Sequence, residues 1–341
     1  MASNVVLVTG VGGELGGRLL VRLGNNPDLE RVIGVDTAPP PRSVLQRLGH
    51  AEFVRADIRN PLIAKIIDSA GVDTVVHCAT TVHPAGPARR TAIKEVNVIG
   101  TMRLLAACQR APKVRKLVVK STAAVYGAGP RSQAVFTEDS ELIPTSSTGY
   151  AKDAVEMEGY VRGLARRRPD LTITTTRFTN VIGPDVDTVL ARYFALPVVP
   201  TVLGFDARLQ LLHSSDALAI LEKATLEDKP GVFNAGGDGV LTLSQAIRRA
   251  GRVELPVPRT MVGTVGRMLR GARVDFSPDQ VRLLNYGRVV DTTRLTEVFG
   301  YRPRWSSEAA FDDYVTGRGL RPVLDGEQLA GAAGKVLAAV R

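Results

Sequence analysis

Short hydrophobic runs alternate with longer amphipathic stretches through the first half of the chain. Short apolar runs are typical of buried strands, and apolar positions spaced three and four residues apart are typical of helices. The resulting strands are expected near residues 5–9, 31–35, 51–55, 74–78, 116–121 and 171–177, and the helices near 14–24, 43–48, 61–69, 89–110 and 149–168. This alternation predicts an α/β fold with a doubly wound parallel sheet.

The second half of the chain has a less regular pattern. A stretch rich in apolar residues and proline is followed by further segments whose patterns predict single elements. We expect helices at 216–227, 243–250 and 326–340, and a strand at 232–234. Neither a repeat nor a low-complexity linker is visible, so the second lobe is expected to consist of insertions and the C-terminal third.

The first predicted strand runs directly into a glycine-rich turn that opens a helix. The turn contains Gly10, Gly12, Gly13, Glu14, Leu15 and Gly16. Glycines at this join allow a tight turn and let backbone N–H groups approach a diphosphate at the helix N-terminus. The second predicted strand ends in Asp36, 20 residues after Gly16, where a dinucleotide fold places an acid on the adenosine ribose. We therefore predict a dinucleotide site; the alternative is a structural glycine turn with an incidental acid.

Composition limits the classes of function. The 341 residues can bury a large core, and the formal charge is +10. The basic clusters, such as 166–168 and 248–249, are not interleaved with aromatic residues, which favours solvated helix faces over nucleic-acid binding; attraction of an anionic substrate is the next possibility. Cys78 and Cys108 lack metal-ligand spacing. No signal peptide or membrane span is apparent, so we expect a cytoplasmic protein that binds neither nucleic acid nor membrane, and no metal site.

A series of short motifs, beginning with the glycine turn, runs in a fixed order along the chain. They are Thr9-Gly10-x-x-Gly13-x-x-Gly16, Asp36, Ala56-Asp57-Ile58-Arg59, His77-Cys78-Ala79-Thr80, Val96-Asn97-x-x-Gly100-Thr101, Ser121-Thr122-Ala123-Ala124-Val125-Tyr126-Gly127, Tyr150, Arg177-Phe178-Thr179-Asn180-Val181-x-Gly183-Pro184 and His213-x-x-Asp216. In their order these motifs resemble those of the extended short-chain dehydrogenases/reductases of the epimerase/dehydratase type. The resemblance covers roughly residues 4 to 306.

The resemblance implies roles for individual residues. Asp57 and Ile58 would flank the adenine, Cys78, Ala79 and Thr80 would line the cofactor together with Ser121, Asn97 would lie near the nicotinamide ribose, and Phe178 and Asn180 near the nicotinamide or the substrate. Taken alone, Asp57 could equally be a turn residue and Asn97 a polar group satisfied between helices. A carboxylate at position 36 binds two ribose hydroxyls and repels a 2′-phosphate, so NAD is expected rather than NADP.

The same resemblance implies a domain division and a homodimer. We expect an NAD-binding Rossmann domain over 1–180 to which 207–236 returns, a substrate lobe from 181–206 and 237–325, and a helical tail at 326–341. The dimer would form through the helices at 89–110 and 149–168.

Tyr150 and Thr122 match the catalytic tyrosine and hydroxyl of the family, but the lysine that should follow the tyrosine is missing. Position 154, four residues after Tyr150, holds alanine. A tyrosine loses its proton near pH 7 only beside a cation, so this departure puts base catalysis in doubt. Lys152 is rotated about 200° away from Tyr150 on a helix and is expected at the surface.

Lys120 is the candidate replacement for the missing cation. It precedes Thr122 by two residues on a predicted strand and therefore shares its face, from which it could reach the space left by Ala154. The alternatives are that Lys120 pairs with a carboxylate or points into solvent. Without any replacement, Tyr150 would serve as a hydrogen-bond donor.

The substrate side also departs from nucleotide-sugar enzymes. Leu209 stands where they have an arginine seven residues before the matched aspartate, Arg208 is one position off, and the Arg-x-Gly-Asp segment is not evident, although Arg288 could meet an anion. Three hypotheses follow: an NAD-dependent oxidoreductase or epimerase acting on a hydroxyl or keto carbon of a small polar, possibly sugar-type substrate; a degenerate NAD-binding protein; or a non-redox isomerase or lyase.

Overall fold

A computed structural model describes residues 5–79, 94–143, 149–261 and 277–323. Thr80, the first part of the helix expected at 89–110 and the terminal helix expected at 326–340 lie outside these ranges. Within them the strands are β1 (Val5–Thr9), β2 (Arg31–Asp36), β3 (Glu52–Arg55), β4 (Thr74–His77), β5 (Lys116–Thr122), β6 (Thr172–Phe178), β7 (Asn180–Ile182), β8 (Val198–Val202), β9 (Arg208–Leu209), β10 (Leu211–His213), β11 (Gly231–Ala235), β12 (Leu241–Thr242) and β13 (Val253–Val257).

The α-helices of the first half follow the strands in the order that the hydrophobic pattern predicts, whereas α6 at Val189–Ala195 was not predicted. The α-helices in the described ranges are α1 (Glu14–Gly24), α2 (Arg42–Leu45), α3 (Leu62–Ser69), α4 (Thr101–Arg110), α5 (Tyr150–Arg167), α6 (Val189–Ala195), α7 (Ser214–Leu226), α8 (Leu243–Arg249), α9 (Pro278–Tyr286), α10 (Thr293–Glu297) and α11 (Ser307–Gly317). A π-helical segment, Glu95–Gly100, precedes α4, and short 3₁₀ turns span Ala123–Tyr126 and Arg259–Met261.

Seven parallel strands form the central sheet in the order β11-β6-β5-β4-β1-β2-β3. The chain leaves β1 toward β2 and β3 and then returns to the other side of β1 with β4, so the strand order reverses beside β1. In such sheets the carboxyl ends of the strands on either side of the reversal leave a crevice in which ligands bind. The predicted doubly wound α/β fold is confirmed.

Two hydrophobic layers cover the sheet. Leu19, Leu20 and Leu23 of α1 pack with residues of α7 on one face, whereas the residues of α3, α4 and α5 pack on the other. The inner strands β1 and β4 are buried on both faces, because helices cover both sides of the parallel sheet, whereas the edge strand β3 is partly exposed.

A third hydrophobic cluster lies in the second lobe, around Tyr193, Phe194, Phe311 and Tyr314. Three pairs of short strands accompany it: β7 with β10, β8 with β13, and β9 with β12. The sequence did not predict these strands or the helices α9 to α11. The division into an NAD-binding domain and a substrate lobe stays a prediction, although the central sheet does take β11 from the segment 207–236.

Candidate functional site

The glycine turn between β1 and α1 is packed too closely for side chains. Gly10 has a φ of +79°, and a Cβ there would lie 2.5 Å from the backbone nitrogen of Ala79 at the end of β4. A Cβ on Gly16 would lie 2.2 Å from the carbonyl oxygen of Gly10. Glycine is therefore required where the turn meets β4 and where α1 meets the turn.

The N-terminus of α1 is open toward this turn. Its N-cap is Gly13, and no side chain caps the first-turn amides, which belong to residues beginning with Glu14 and Leu15. Uncapped amides at a helix N-terminus bind anions well, and the helix dipole adds to the attraction. We call the glycine turn from Gly10 to Gly13, together with the first amides of α1, the cradle. Its lack of side chains and its uncapped amides fit a dinucleotide diphosphate.

Asp36 is fixed beside the cradle by main-chain hydrogen bonds. Its Oδ2 accepts from the Gly12 N–H at 2.9 Å, and its Oδ1 accepts from the Thr37 N–H at 2.7 Å. A Cβ on Gly12 would lie 3.1 Å from the same carboxylate. The carboxylate stands at the end of β2, next to β1, as a ribose-binding acid requires.

The side chains expected at the adenine end have partners within the protein. The guanidinium of Arg59 donates to both carboxylate oxygens of Asp57 and holds the pKa of that carboxyl below its usual range. The Ile58 side chain is buried and contacts Gly100, where a Cβ would lie 2.7 Å from its Cδ1. Contacts with an adenine at these positions would therefore fall mainly to the main chain.

A buried hydrogen-bond chain leads from the cradle to α5. The Thr9 hydroxyl and His77 Nδ1 are 2.8 Å apart, and His77 Nε2 and the Thr101 hydroxyl are also 2.8 Å apart. Because the Thr101 hydroxyl donates its proton to the carbonyl of Asn97, it must accept from His77, so the ring proton is on Nε2. Burial lowers the pKa of His77 to about 4 and keeps the ring neutral.

The next member of the chain is the Asn97 side chain, whose Nδ2 donates to Asp153 Oδ2 at 3.3 Å. Asn97 lies in the π-helical segment, a local widening that is frequent at functional sites. Asp153 is on α5, three residues after Tyr150, and is buried. The chain therefore connects the turn after β1 with the helix that carries the candidate tyrosine.

Thr122 and Tyr150 stand at the ends of β5 and of α5 that face the cofactor edge. Both are half-buried, and the Thr122 hydroxyl accepts from the Ala124 N–H at 3.1 Å. Gly149, with a φ of +135°, directly precedes the tyrosine. The two residues are therefore available to a substrate oxygen.

Ala154 packs in an apolar cluster one helical turn after Tyr150. It is buried with Tyr126, Phe136 and Val290. Apolar side chains therefore surround the position where the family has a lysine, and the hypothesis that Lys120 reaches this position stays a prediction. Lys152 is at the surface as predicted, with its Nζ 3.8 Å from Glu156 Oε1.

Lys120 lies on β5 directly after Val119, the residue that pairs with His77 at the end of β4. Burial is the larger influence on the pKa of His77, which it lowers, and on the pKa of Cys78, which it raises to about 11; the charge of Lys120 lowers both. The Lys120 side chain is half-buried, and no ion pair joins it to another residue in the described ranges. A cation is thus present at the edge of the sheet where the cofactor is expected, on the strand that carries Thr122.

Ser121 points to the opposite face of the sheet from Thr122. Its hydroxyl donates to Glu158 at 2.6 Å, and Glu158 accepts three further hydrogen bonds from Arg177, in a site where all three side chains are buried. Neighbouring residues of a strand face opposite sides, so the hydroxyl of Ser121 is committed to α5. Any contact of Ser121 with the cofactor would use its main chain.

Phe178 and Asn180, which were expected near the nicotinamide or the substrate, differ in how accessible their side chains are. Phe178 is packed in the core on the α7 face, and Asn180 is half-buried at the start of β7. The hydroxyl of Thr179, between them, is buried and has no hydrogen-bond partner among the described residues. Thr179 was not among the residues predicted for the site; its place between two residues that were is the signal that could have identified it.

Two charged residues of the second lobe border the same site. Arg288 Nε donates to the carbonyl of Gly127 at 2.8 Å, and a Cβ on Gly149 would lie 2.4 Å from Asp279 Oδ2. Asp279 was not identified from the sequence, because the helix α9 that carries it was not predicted. Arg208 is exposed and donates to the carbonyl of Ala134, while Leu209 is buried.

Two classes of site are not found in the described part of the chain. None of its helices has both the length and the hydrophobicity needed to cross a membrane. No group of three or more His, Cys, Asp or Glu side chains in those ranges could hold a metal ion.

Known structures share this architecture. Over 93% of this chain and 97% of the other, the dTDP-glucose 4,6-dehydratase of Bacillus anthracis, solved in complex with NAD, superposes with a TM-score of 0.72 at 19% identity. The UDP-glucose 4-epimerase of Thermotoga maritima, solved with UDP-glucose, gives a TM-score of 0.71 at 22% identity over 92% and 98% of the two chains. At these identities the similarity shows the fold.

Other proteins are more similar to this chain in sequence than these two structures are. An uncharacterised protein of Mycobacterium tuberculosis is 51% identical over 335 residues, which are 98% of this chain and 89% of that protein. Residues 6–236 match the family described as the NAD dependent epimerase/dehydratase family. That match confirms the resemblance drawn from the motifs and, at the level of the family, the expectation of NAD as cofactor. The chain belongs to the NAD dependent epimerase/dehydratase family.

Proposed function

We propose that this protein is an NAD-dependent enzyme of the oxidoreductase or epimerase type, acting on a hydroxyl or keto carbon of a small polar, sugar-type substrate. The observation that carries the proposal is the buried chain from Thr9 through His77 to Asp153. It connects the diphosphate cradle with the helix that presents Tyr150. A cofactor site and a candidate reaction site are thereby held in one rigid arrangement.

The residues of this chain divide the work of such a reaction. The amides after Gly13 hold the diphosphate, and Asp36 holds the ribose hydroxyls. Bound NAD supplies the acceptor or donor of a hydride. Thr122 and Tyr150 position the reacting oxygen by hydrogen bonds. With Ala154 in place of the lysine, Tyr150 acts as a hydrogen-bond donor and proton source.

Lys120 takes part as the cation of the site in this proposal. The charge of Lys120 lowers the pKa of His77 and of Cys78 at the end of β4. In this proposal the same charge stabilises negative charge that develops on a substrate oxygen at that edge of the sheet. Replacing Lys120 by Met should lower turnover at least tenfold. The matched control is Lys152→Met, which removes a nearby surface lysine. Unchanged turnover and NAD affinity in Lys120→Met would remove Lys120 from the proposal.

The activity itself is tested with purified protein. We expect NAD(H) to bind, or to co-purify, and candidate sugars and alcohols to change the absorbance of the bound nicotinamide. Tyr150→Phe should abolish this change while NADH binding persists. Equal rates in Tyr150→Phe and the parent protein would exclude Tyr150 as the proton donor.

A second candidate function is a binding protein that holds NAD without turnover. It is favoured by the apolar packing of Ala154, which leaves no cation one helical turn from Tyr150. In that case NADH binds and no substrate alters its spectrum. A non-redox isomerase or lyase, the third hypothesis, would convert a substrate without any net change in the nicotinamide.

We also propose a cytoplasmic homodimer. Ile99 and Met102 on the π-helical segment and α4, and Tyr160 on α5, are exposed apolar side chains on the helices expected to pair. Cys78 and Cys108 are buried and unpaired with each other, in keeping with a reducing compartment. Light scattering should give the mass of two chains, and Met102→Glu should shift the equilibrium toward one.

A further inference from the structure

Arg288 is held at the site by its main chain as well as by its side chain. Its N–H donates to the carbonyl of Arg208 at 3.0 Å, and the segment that follows is joined to Phe136 by hydrogen bonds. Its Nε donates to the carbonyl of Gly127 at 2.8 Å. The guanidinium therefore has a fixed position rather than that of a freely moving surface side chain.

Most of the hydrogen-bonding capacity of this guanidinium is unused. An arginine side chain has five N–H donors, and only the Nε donor of Arg288 has a partner among the described residues. Burial lowers the pKa of Arg288 to about 10, so the group is still charged at neutral pH. The Arg288 side chain is half-buried, so an anion bound to its terminal nitrogens would be partly shielded from water and would pair more strongly with this charge than at an open surface.

The surroundings of Arg288 belong to the two segments that carry the candidate reacting groups. Gly127 ends the turn that begins at Thr122, and Asp279, whose charge raises the pKa of Arg288, contacts the glycine before Tyr150. The side-chain amide nitrogen of Gln280, next to Asp279, is buried, has no hydrogen-bond partner within the part of the chain that the structure describes, and is a further donor on this part of α9. The unused donors thus lie on the elements that border the reaction site.

We propose that Arg288 binds a compact oxyanion, a carboxylate or a phosphate monoester, carried by the substrate close to its reacting carbon. The inference rests on the proposed function and narrows its substrate class to acidic hydroxy or keto compounds. A planar guanidinium with two free terminal nitrogens matches two oxygens of such a group. Arg208, which is exposed and bonded to Ala134, and the buried Leu209 do not supply an equivalent cation.

The test is isothermal titration of the NADH-loaded protein with four probes. D-glucuronate supplies a carboxylate, glucose 6-phosphate a phosphate monoester, UDP a nucleoside diphosphate, and D-glucose a neutral control. We expect glucuronate or glucose 6-phosphate, or both, to bind more tightly than glucose, and the stronger of the two identifies the source of the oxyanion. Arg288→Gln should weaken that binding about tenfold or more and leave NADH affinity unchanged, since charged hydrogen bonds of this kind are lost.

Two further variants separate recognition from folding. Arg282→Gln removes the same charge from an exposed position on α9 and should leave probe binding unchanged. Arg288→Lys keeps the charge without the two-pronged geometry and should restore part of the affinity if Arg288→Gln is folded, as judged by circular dichroism.

Three results would overturn the inference: neither acidic probe binds, binding is the same in Arg288→Gln, or UDP alone binds through Arg288. Loss of NADH binding by the parent protein would instead refute the proposed function, so the two failures are distinguishable.

Discussion

Replacing Gly10 by alanine should destabilise the protein and weaken NADH binding together. Gly10 has a φ of +79°, in the left-handed region that favours glycine. The new Cβ would lie 2.5 Å from the nitrogen and 2.6 Å from the Cα of Ala79. Both are backbone atoms at the end of a central strand, so neither can rotate away as a side chain could.

The magnitude follows from two contributions. A non-glycine residue in the left-handed region costs about 1–2 kcal/mol, and overlap in a well-packed interior adds about 1–3 kcal/mol. The free energy of unfolding should therefore fall by about 2–5 kcal/mol, measured by chemical denaturation. Because β1 and β4 must separate to accept the methyl group, the amides of the cradle shift, and calorimetry should show NADH affinity lowered about tenfold or more.

Gly239→Ala is the control for the backbone contribution. Gly239 has a φ of +76°, but a Cβ there meets no atom within 4 Å. This variant should lose only about 1–2 kcal/mol and bind NADH normally. If both variants lost the same free energy of unfolding, the close approach of Gly10 to β4 would not be the reason for glycine at this position.

Three further predictions concern charge. Arg177→Met leaves the buried Glu158 carboxylate without its nearest cation, so the free energy of unfolding should fall by about 3–5 kcal/mol. Arg162→Met removes an exposed cation 3.8 Å from the same carboxylate and should lower the free energy of unfolding by less than about 1 kcal/mol. Equal losses in the two variants would contradict the argument. The pKa of His77 is lowered from 6.5 to about 4, because the charged ring is disfavoured in the buried site. The free energy of unfolding should therefore fall by about 3 kcal/mol as the pH drops from 6.5 to 4. A ¹⁵N spectrum that shows a charged ring at pH 5.5 would refute this. Burial raises the pKa of Glu14, whose carboxylate lies beside the glycine turn and is expected to repel the diphosphate when it is charged. Glu14→Gln should therefore raise NADH affinity about two- to fivefold at pH 8 and less at pH 5, as measured by calorimetry. Unchanged affinity at both pH values would rule out this repulsion.

The central sheet could be predicted because its strands are apolar on both faces and are separated by amphipathic helices. β1, for instance, follows the hydrophobic run at its predicted position, and the glycine turn and Asp36 were recognised from their spacing. The short pairs such as β9 with β12 could not be predicted, because two-residue strands are stabilised by tertiary contacts and show no periodicity of their own.

The site was predicted less completely than the sheet, and the reason differs from residue to residue. Tyr150 and Thr122 could be proposed from the sequence because their neighbours form a motif. The position of Lys120 beside the end of β4 and the contact of Asp279 with Gly149 depend on packing between segments that are distant in sequence. The π-helical segment likewise could not be distinguished from an ordinary helical turn, because its hydrophobic spacing is almost the same.

The buried group of Ser121, Glu158 and Arg177 has a mechanical consequence for the two candidate reacting residues. Ser121 is the immediate neighbour of Thr122, and Glu158 is on the same helix as Tyr150, two turns along. The buried hydrogen bond between Ser121 and Glu158 thus holds the strand and the helix together. Its loss should misalign the hydroxyl and the phenol, which slows the chemical step more than it weakens substrate capture.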